Sequence, residues 1–262
     1  MDNYDLAEQR FWNNYWKGIS LPTEYKKKRE KLYLNEILKI FDEYLTINNQ
    51  WSILEIGGAP GQYLSYMHKN FGYDIHCVDY SDIGCLKTKE NFNLLNIPGT
   101  VYHEDIFSKN LSLPLFDIVY SLGFIEHFSD LNAVIQTHLK LLKPGGILLL
   151  GVPNFLGVNH FFLKRLAPKL LSKHNLTTMD LHNWKGFEDE FNLKPLFKKY
   201  VGGFEPRILK KCEHKNLLNG ILKVIVKVLD KILHTHFKIL RKYNSRYFSG
   251  YMMGVYKKPS AN

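Results

Sequence analysis

Short apolar runs alternate with helix-like stretches along the middle of the chain. From Trp51 onward each apolar run is four to seven residues long, as in a buried strand, and the stretches between them repeat apolar residues every three or four positions. Strands that alternate with helices in this way predict a parallel α/β sheet. The predicted strands are 52–56, 74–79, 100–103, 117–121 and 146–152, and the predicted helices between them are 62–69, 81–95 and 131–142.

The two ends of the chain follow other patterns. Residues 1–48 repeat apolar positions at helical spacing, so we predict helices there. Residues 154–192 are rich in Phe, Leu and His, and we expect them to cover the ligand edge of the sheet rather than to extend it. Two further predicted strands, 196–201 and 251–256, flank a basic amphipathic helix within about residues 205–245.

Length and composition describe one globular unit. The chain has 262 residues, of which 45% are hydrophobic and 23% are charged, so it can bury a large core without disulfides. Its three cysteines contain no C-x-x-C pair, which argues against a disulfide framework and against a zinc site. The N-terminus is acidic and polar rather than basic and then apolar, so we expect a cytoplasmic protein.

The net charge of +10 is concentrated towards one end of the chain. Residues 193–262 contain 16 of the 35 Lys and Arg but 3 of the 25 Asp and Glu, a net charge of +13, whereas residues 1–192 carry −3. Such a patch can meet nucleic acid, an anionic membrane surface or a phosphorylated substrate, and charge by itself does not choose among them. Lysines interrupt the apolar stretches of the basic helix, so we expect that it does not span a bilayer.

A glycine-rich turn follows the first predicted strand, in residues 53–62, which read ILEIGGAPGQ. Glycine lets the backbone bend tightly and lets a ligand approach the backbone amides. Counted from Gly57, the dinucleotide fingerprint G-x-G-x-x-G fails at Gln62, and the Gly-Lys-Ser/Thr of a phosphate-binding P-loop is missing. The turn therefore indicates neither of these sites, and a tight turn without a ligand stays an alternative.

Glu55, Gly57 and Gly61 resemble motif I of the class I S-adenosylmethionine-dependent methyltransferases, acidic-x-Gly-x-x-x-Gly. Asp79 ends the second predicted strand 24 residues after Glu55, where a ribose diol would need a carboxylate acceptor. Residues 104–106, 116–123 and 141–149 resemble the family's later strand ends, in the family's order. The resemblance implies cofactor contacts from Glu55, Gly57, Gly58, Ala59, Gly61, Asp79, Tyr80, Asp105, Ile106, Ser121 and Leu122.

The same resemblance implies a fold and a domain arrangement. We expect a Rossmann-like sheet of seven mostly parallel strands with helices on both faces, N-terminal helices and a helical insertion before the last strand. Residues 1–48 would be an N-terminal helical cap, 49–153 the S-adenosylmethionine-binding core and 154–192 a covering segment. Residues 193–262 would supply the last two strands with the basic helical insertion.

Glu126 and His127 are the candidate catalytic residues. They lie in the loop after the fourth predicted strand, where the family meets its acceptor, and a histidine can take the proton of an acceptor hydroxyl. The alternative is that they cap or pack the following helix. In some relatives Glu-x-x-Glu-His binds a divalent metal, but Gly123 replaces the first glutamate, so we expect no metal. The weaker candidates in the covering segment are His160, His174 and His182.

The resemblance implies methyl transfer, and we expect the acceptor to be an oxygen of a small-molecule, glycan or lipid-linked compound. The basic C-terminal region makes RNA the alternative acceptor, although its lysines are not interleaved with stacking aromatic residues. The basic helix also leaves open that the protein lies on an anionic membrane, at its inner face. A domain that binds the cofactor without transferring a methyl group is the least favoured reading. The sequence favours no oligomeric state.

An aromatic cluster near the N-terminus has two interpretations. Its side chains would either close over the cofactor and the acceptor or pack on the edge of the sheet. The cluster consists of Phe11, Trp12, Tyr15 and Trp16.

Overall fold

The structure is a computed structural model that describes residues 6–25, 32–204, 220–222, 224, 225, 228, 232 and 243–260. The strands of the described residues are β1 (Ser52–Ile56), β2 (Asp74–Asp79), β3 (Thr100–His103), β4 (Phe116–Leu122), β5 (Leu142–Pro153), β6 (Lys194–Phe204) and β7 (Ser249–Lys257). The helices are α1 (Gln9–Lys17), α2 (Leu32–Tyr44), α3 (Gln62–Phe71), α4 (Asp82–Leu95), α5 (Leu131–Lys140), α6 (Gly157–Leu166), α7 (Pro168–Leu171) and α8 (Lys185–Glu190).

The strands form one sheet in the order β3-β2-β1-β4-β5-β7-β6. Strands β1 to β5 pair in parallel, while β7 runs antiparallel to both of its neighbours, β5 and β6. The chain builds outward from β1 to β3 on one side and from β4 on the other, so the order reverses between β1 and β4. The predicted Rossmann-like sheet of seven mostly parallel strands is confirmed.

Each face of the sheet carries its own core, because successive strand residues point to opposite faces. Ile53 of β1 is buried in a cluster with residues of α2 and α3, among them Ile37 and Leu64. The next residue, Leu54, is buried in a second cluster with Ile135 of α5 and residues of the covering segment. The buried strands therefore read as continuous apolar runs, which is the pattern that predicted them.

Strand β5 begins earlier than the sequence pattern predicts. The expected strand starts at Gly146, whereas the observed one starts at Leu142, two residues after the end of α5. The register against β4 shifts in this stretch, and the Lys143 ammonium donates a 2.9 Å hydrogen bond to Asp117 Oδ2. Gly145 has a φ of +73°. The Lys-Pro-Gly-Gly sequence therefore forms an irregular strand start rather than a loop between helix and strand.

The covering residues 154–192 form α6, α7, α8 and a short 3-10 helix, Leu176–Met179, and add no strand to the described sheet. Most of the predicted basic helix within 205–245 lies outside the described residues. The residues of this segment that are described as helical are 220–222, 224, 225, 228 and 232. Among the helices in the described part of the chain, none has the length and hydropathy that crossing a bilayer requires.

Candidate active site

A cavity of about 1470 Å³ opens at the carboxyl ends of β1, β2 and β4. The strand order reverses at this edge, and residues that follow successive parallel strands meet there. The cavity therefore collects side chains that lie far apart in the sequence. The predicted cofactor residues on its wall are Glu55, Gly57, Gly58, Ala59, Asp79, Tyr80, Asp105, Ile106 and Leu122.

Gly57 and Gly58 leave space for two side chains of the cavity wall. A Cβ on Gly57, where φ is +67°, would lie 2.3 Å from the ring of Phe124. A Cβ on Gly58 would lie 2.2 Å from Cγ of Glu55. Any larger residue would have to move these neighbours or the turn itself. Glycine at both positions is what lets Glu55 and Phe124 lie directly against the turn.

Glu55 is buried at the end of β1, with 3% of its surface exposed. Burial, with a smaller contribution from the nearby Asp79, raises its pKa to about 8, while the Tyr120 hydroxyl acts in the opposite direction. Its Oε2 atom has no hydrogen-bond partner among the described residues. A buried polar atom without a partner is costly, so a ligand that donates a hydrogen bond here would be favoured.

Asp79 ends β2 beside the same turn. Its Oδ1 atom accepts a 2.9 Å hydrogen bond from the backbone N–H of Ser81. Burial raises its pKa to about 6, which still leaves the carboxylate charged at pH 7. The next residue, Tyr80, donates its hydroxyl to the carbonyl of Ala7 over 2.9 Å and so ties the N-terminal segment to the end of β2.

Asp105 and Ile106 follow β3 on the cavity wall. The Asp105 carboxylate is exposed and accepts a 2.9 Å hydrogen bond from the N–H of Phe107, which holds the loop, while Ile106 is buried. Two predicted cofactor residues are not on the described wall. Gly61 is the N-cap of α3, with φ at +77°, and the hydroxyl of Ser121 is buried against His138 Nε2 at 3.0 Å.

The far end of the cavity is polar. Glu126 and His127 lie on a short 3-10 helix, Ile125–His127, directly after β4. His174, from the covering segment, brings its ring centroid to 4.5 Å from that of His127. His127 Nε2 and Glu126 Oε1 are 3.8 Å apart. The fold therefore joins the two predicted catalytic residues to one histidine that the sequence ranked as a weaker candidate.

Burial keeps Glu126 and His127 uncharged at neutral pH. Desolvation raises the pKa of Glu126 to about 8. Desolvation, with a smaller contribution from His174, lowers the pKa of His127 to about 3. At pH 7 the carboxyl group is therefore largely protonated and the imidazole is neutral. The pair offers one hydrogen-bond donor and one acceptor rather than an ion pair.

Helix α1 covers this end of the cavity. Trp12 stands edge-on to His127, with 4.8 Å between the ring centroids. The Lys173 ammonium lies 4.2 Å above the centre of the Phe11 ring, in a cation–π contact. None of the nine described residues of α1 is buried, so such contacts hold the helix in place. All four residues of the N-terminal aromatic cluster, including Tyr15 and Trp16, lie on the cavity wall.

Beside Tyr15 and Tyr80, four tyrosines that carry no sequence motif line the cavity wall. Their rings come from the segment before α2, from α2 itself, from α3 and from β7, and no local motif connects them. The rings of Tyr25 and Tyr63 are 4.1 Å apart. Only the fold brings them together. These wall residues are Tyr25, Tyr33, Tyr63 and Tyr251.

Solved structures share this fold. One is the geranyl diphosphate C-methyltransferase from Streptomyces coelicolor A3(2), in complex with Mg²⁺, geranyl diphosphate and S-adenosyl-L-homocysteine: the TM-score is 0.61 at 11% identity, over 95% of this chain and 98% of that one. Another is coclaurine N-methyltransferase bound to N-methylheliamine and S-adenosyl-L-homocysteine, with a TM-score of 0.57 at 14% identity, over 97% of this chain and 86% of that one. At identities of 11% and 14% the likeness shows the fold alone.

A sequence comparison decides the family. The profile of the family described as "Methyltransferase domain" matches residues 25–197, well over half of the chain. The chain belongs to this methyltransferase family. It is a class I methyltransferase, a transferase whose cofactor is S-adenosylmethionine. No curated protein matches the sequence of this methyltransferase.

Proposed function

We propose that this methyltransferase transfers the methyl group to a hydroxyl oxygen of a small, largely apolar acceptor, which is free or part of a glycan or lipid. One observation carries the proposal: a single cavity joins the predicted cofactor residues to Glu126 and His127. Its volume of about 1470 Å³ exceeds the roughly 300–1,000 Å³ that is usual for one ligand. Such a cavity has room for the cofactor and an acceptor together.

The residues at the strand ends fit the cofactor. Gly57 and Gly58 let Phe124 and Glu55 lie against the turn, and the unpartnered Oε2 of Glu55 suits a donor group of the cofactor. The Asp79 carboxylate suits the ribose hydroxyls, and Ile106 offers an apolar surface to the adenine. The bound cofactor supplies an activated methyl group, so the chain has mainly to align the acceptor.

The walls around the acceptor position favour an apolar compound. The aromatic cluster of α1 faces the cavity from one side, and the four wall tyrosines face it from the others. Aromatic rings bind apolar and planar groups well, while the tyrosine hydroxyls can fix an oriented polar group. A free or lipid-linked hydroxylated ring or chain matches this surface.

Glu126 and His127 would hold the acceptor hydroxyl. With its pKa near 3, His127 is a weak base, which argues against the expectation that it takes the proton of the acceptor hydroxyl. Its neutral imidazole can accept a hydrogen bond from the hydroxyl, and the protonated carboxyl of Glu126 can donate one. We therefore assign both residues to positioning the acceptor oxygen in line with the methyl group.

Calorimetry followed by product analysis tests the proposal. We expect S-adenosylmethionine and S-adenosylhomocysteine to bind the purified chain, and Asp79→Ala to weaken both. With isotopically labelled cofactor and a panel of hydroxylated apolar compounds, mass spectrometry should find the label on oxygen, and His127→Ala should reduce turnover. The absence of cofactor binding would contradict the proposal, and label on nitrogen or carbon would contradict the oxygen acceptor. His182, a weaker candidate of the sequence, is exposed and lies outside the described cavity wall, so His182→Ala is the matched control.

A lipid-linked acceptor at an anionic membrane is the second candidate, because apolar side chains at helical spacing are exposed in the helical part of the insertion. Ile221, Ile225, Val228 and Ile232 are 40–49% exposed. Vesicles with anionic lipids should carry the wild-type protein in flotation, and Ile225→Asp should float less. Equal flotation of the wild type and Ile225→Asp would contradict the membrane role. Equal flotation of the wild type with anionic and with zwitterionic vesicles would contradict it too. If the protein instead methylates RNA, and this turnover falls steeply as the salt concentration rises, an RNA acceptor is favoured.

A further inference from the structure

We propose that Glu126, His127 and His174 form a binding site for one divalent transition-metal ion, of the Zn²⁺, Co²⁺ or Fe²⁺ type, at the acceptor end of the cavity. Each residue offers one ligand atom, and these atoms all lie within 4.8 Å of one another. The sequence predicted no metal because Gly123 replaces a glutamate ligand. The fold brings a different third ligand, His174, from the covering segment.

The three ligand atoms are near enough to share one ion once their side chains draw together. Two ligand atoms with bonds of about 2.1 Å to the same ion lie about 3.0–3.4 Å apart. His127 Nε2 and Glu126 Oε1 are 3.8 Å apart. This pair would have to close by about 1 Å or less, and a pair near the 4.8 Å limit of the cluster by up to about 1.8 Å, through rotation of the imidazole and carboxyl groups about their terminal torsions.

Hydrogen bonds to backbone carbonyls orient both imidazoles. His127 Nδ1 lies 2.8 Å from the carbonyl of Lys173, and His174 Nδ1 lies 2.6 Å from the carbonyl of Leu170. A carbonyl oxygen only accepts, so each Nδ1 carries the hydrogen, and Nε2 is the nitrogen through which each ring would bind an ion. This is the arrangement in which a second hydrogen bond holds a metal-binding histidine in one tautomer.

The third ligand is a buried carboxyl group. Glu126 is 1% exposed, and its Oε2 atom has no hydrogen-bond partner among the described residues. Apolar rings close the surroundings: Trp12 packs edge-on against His127, and Phe155 packs edge-on against His174 at 4.9 Å. A cation would take the place of the carboxyl proton of Glu126 and, once the carboxylate turns, would give its oxygens a partner in a site that apolar rings surround.

The ligand types select the class of ion. Two imidazole nitrogens and one carboxylate oxygen suit Zn²⁺, Fe²⁺ and Co²⁺, whereas Mg²⁺ and Ca²⁺ prefer oxygen ligands throughout. Three protein ligands leave at least one coordination position open, towards the cavity. The role of the ion rests on the proposed methyl transfer: the acceptor oxygen would occupy the open position, and His127 would then act as an ion ligand instead of contacting the hydroxyl itself.

Titration of the metal-free protein with Co²⁺ tests the site without an activity assay. After removal of metals with a chelator, we expect wild-type protein to bind one Co²⁺ per chain, with visible absorption bands that Zn²⁺ abolishes by competition. His174→Ala and Glu126→Gln should each weaken Co²⁺ binding at least about tenfold, because each removes a direct ligand. Exposed His182→Ala should leave it unchanged.

Cofactor binding separates this inference from the proposed function. Retained binding of S-adenosylhomocysteine would show that each variant is folded. If wild-type protein takes up no stoichiometric Co²⁺, or if the variants bind it as tightly, the metal site is wrong while the methyl transfer stands. If Co²⁺ binds as expected but the cofactor does not, the metal site stands and the proposed function fails.

Discussion

The indole of Trp12 stands edge-on to the imidazole of His127, with 4.8 Å between the ring centroids. The first residue belongs to α1 and the second follows β4, so the contact closes the N-terminal helix over the polar end of the cavity. Edge-to-face aromatic pairs contribute about 0.5–1.5 kcal/mol beyond the area that they bury. Because α1 has no buried residue among its described positions, this contact and hydrogen bonds such as that from Ser81 Oγ to Asn13 Oδ1 hold it closed.

Trp12→Ala should loosen α1 without unfolding the rest of the chain. We expect the backbone amides of residues 9–17 to exchange with deuterium at least about fivefold faster, because a loss of about 1 kcal/mol changes the closed population by that factor. Asn14→Ala, an exposed position on the same helix, should exchange like the wild type. If both variants exchange equally, Trp12 does not hold the helix.

Gly58→Ala should impair cofactor binding through Glu55. The new Cβ would lie 2.2 Å from Glu55 Cγ, so the carboxyl group would have to leave its place beside the turn. We expect calorimetry to show S-adenosylhomocysteine binding weakened at least about tenfold, which is roughly 1.4 kcal/mol. A Cβ on Gly186 of α8 meets no described atom within 4 Å, so Gly186→Ala is the control. Unchanged binding in Gly58→Ala would contradict the close packing of the turn.

Cofactor affinity should fall as the pH drops below about 6. Burial raises the pKa of Asp79 to about 6, and a protonated carboxyl group binds ribose hydroxyls less well than a carboxylate. The affinity for S-adenosylhomocysteine should then decrease towards about tenfold per pH unit below that point. Asp79→Asn should bind weakly with a flatter pH profile, while the exposed Asp82→Asn should keep the wild-type profile. Identical profiles for wild type and Asp79→Asn would exclude Asp79 as the titrating group.

The buried His138 should make the fold less stable in acid. Burial lowers its pKa from 6.5 to about 4, so the unfolded chain takes up a proton at a higher pH than the folded chain. Stability from this residue is complete above pH 6.5 and is lost as the pH falls towards 4, by about 2 kcal/mol between pH 7 and pH 5. In urea unfolding, His138→Phe should lose about that much of the pH dependence.

Ser121→Ala provides the control for this prediction. It removes the 3.0 Å hydrogen bond to His138 Nε2 but keeps the buried imidazole, so the pH dependence should persist at a lower overall stability. If His138→Phe shows the same pH dependence as the wild type, the acid sensitivity comes from other groups.

Local pattern predicted the sheet well, because strand and helix periodicities are properties of neighbouring residues. The predicted strands at 52–56, 74–79 and 100–103 coincide with β1, β2 and β3. The start of β5 was missed, since the Lys143 contact with Asp117 and the register shift against β4 depend on the neighbouring strand. Ser121 shows the same limit: its place in the motif was visible, but only packing against α5 turned its hydroxyl to His138.

The sequence by itself determined the order of strands and helices, the glycine-rich turn after β1 and the acidic residues that end successive strands, because each of these depends on a few adjacent residues. Only the tertiary structure decided that α1 covers the cavity, that four distant tyrosines share its wall and that His174 meets Glu126 and His127. The physical reason is that these contacts depend on side-chain directions and on the packing of elements far apart in the chain, which local pattern does not specify.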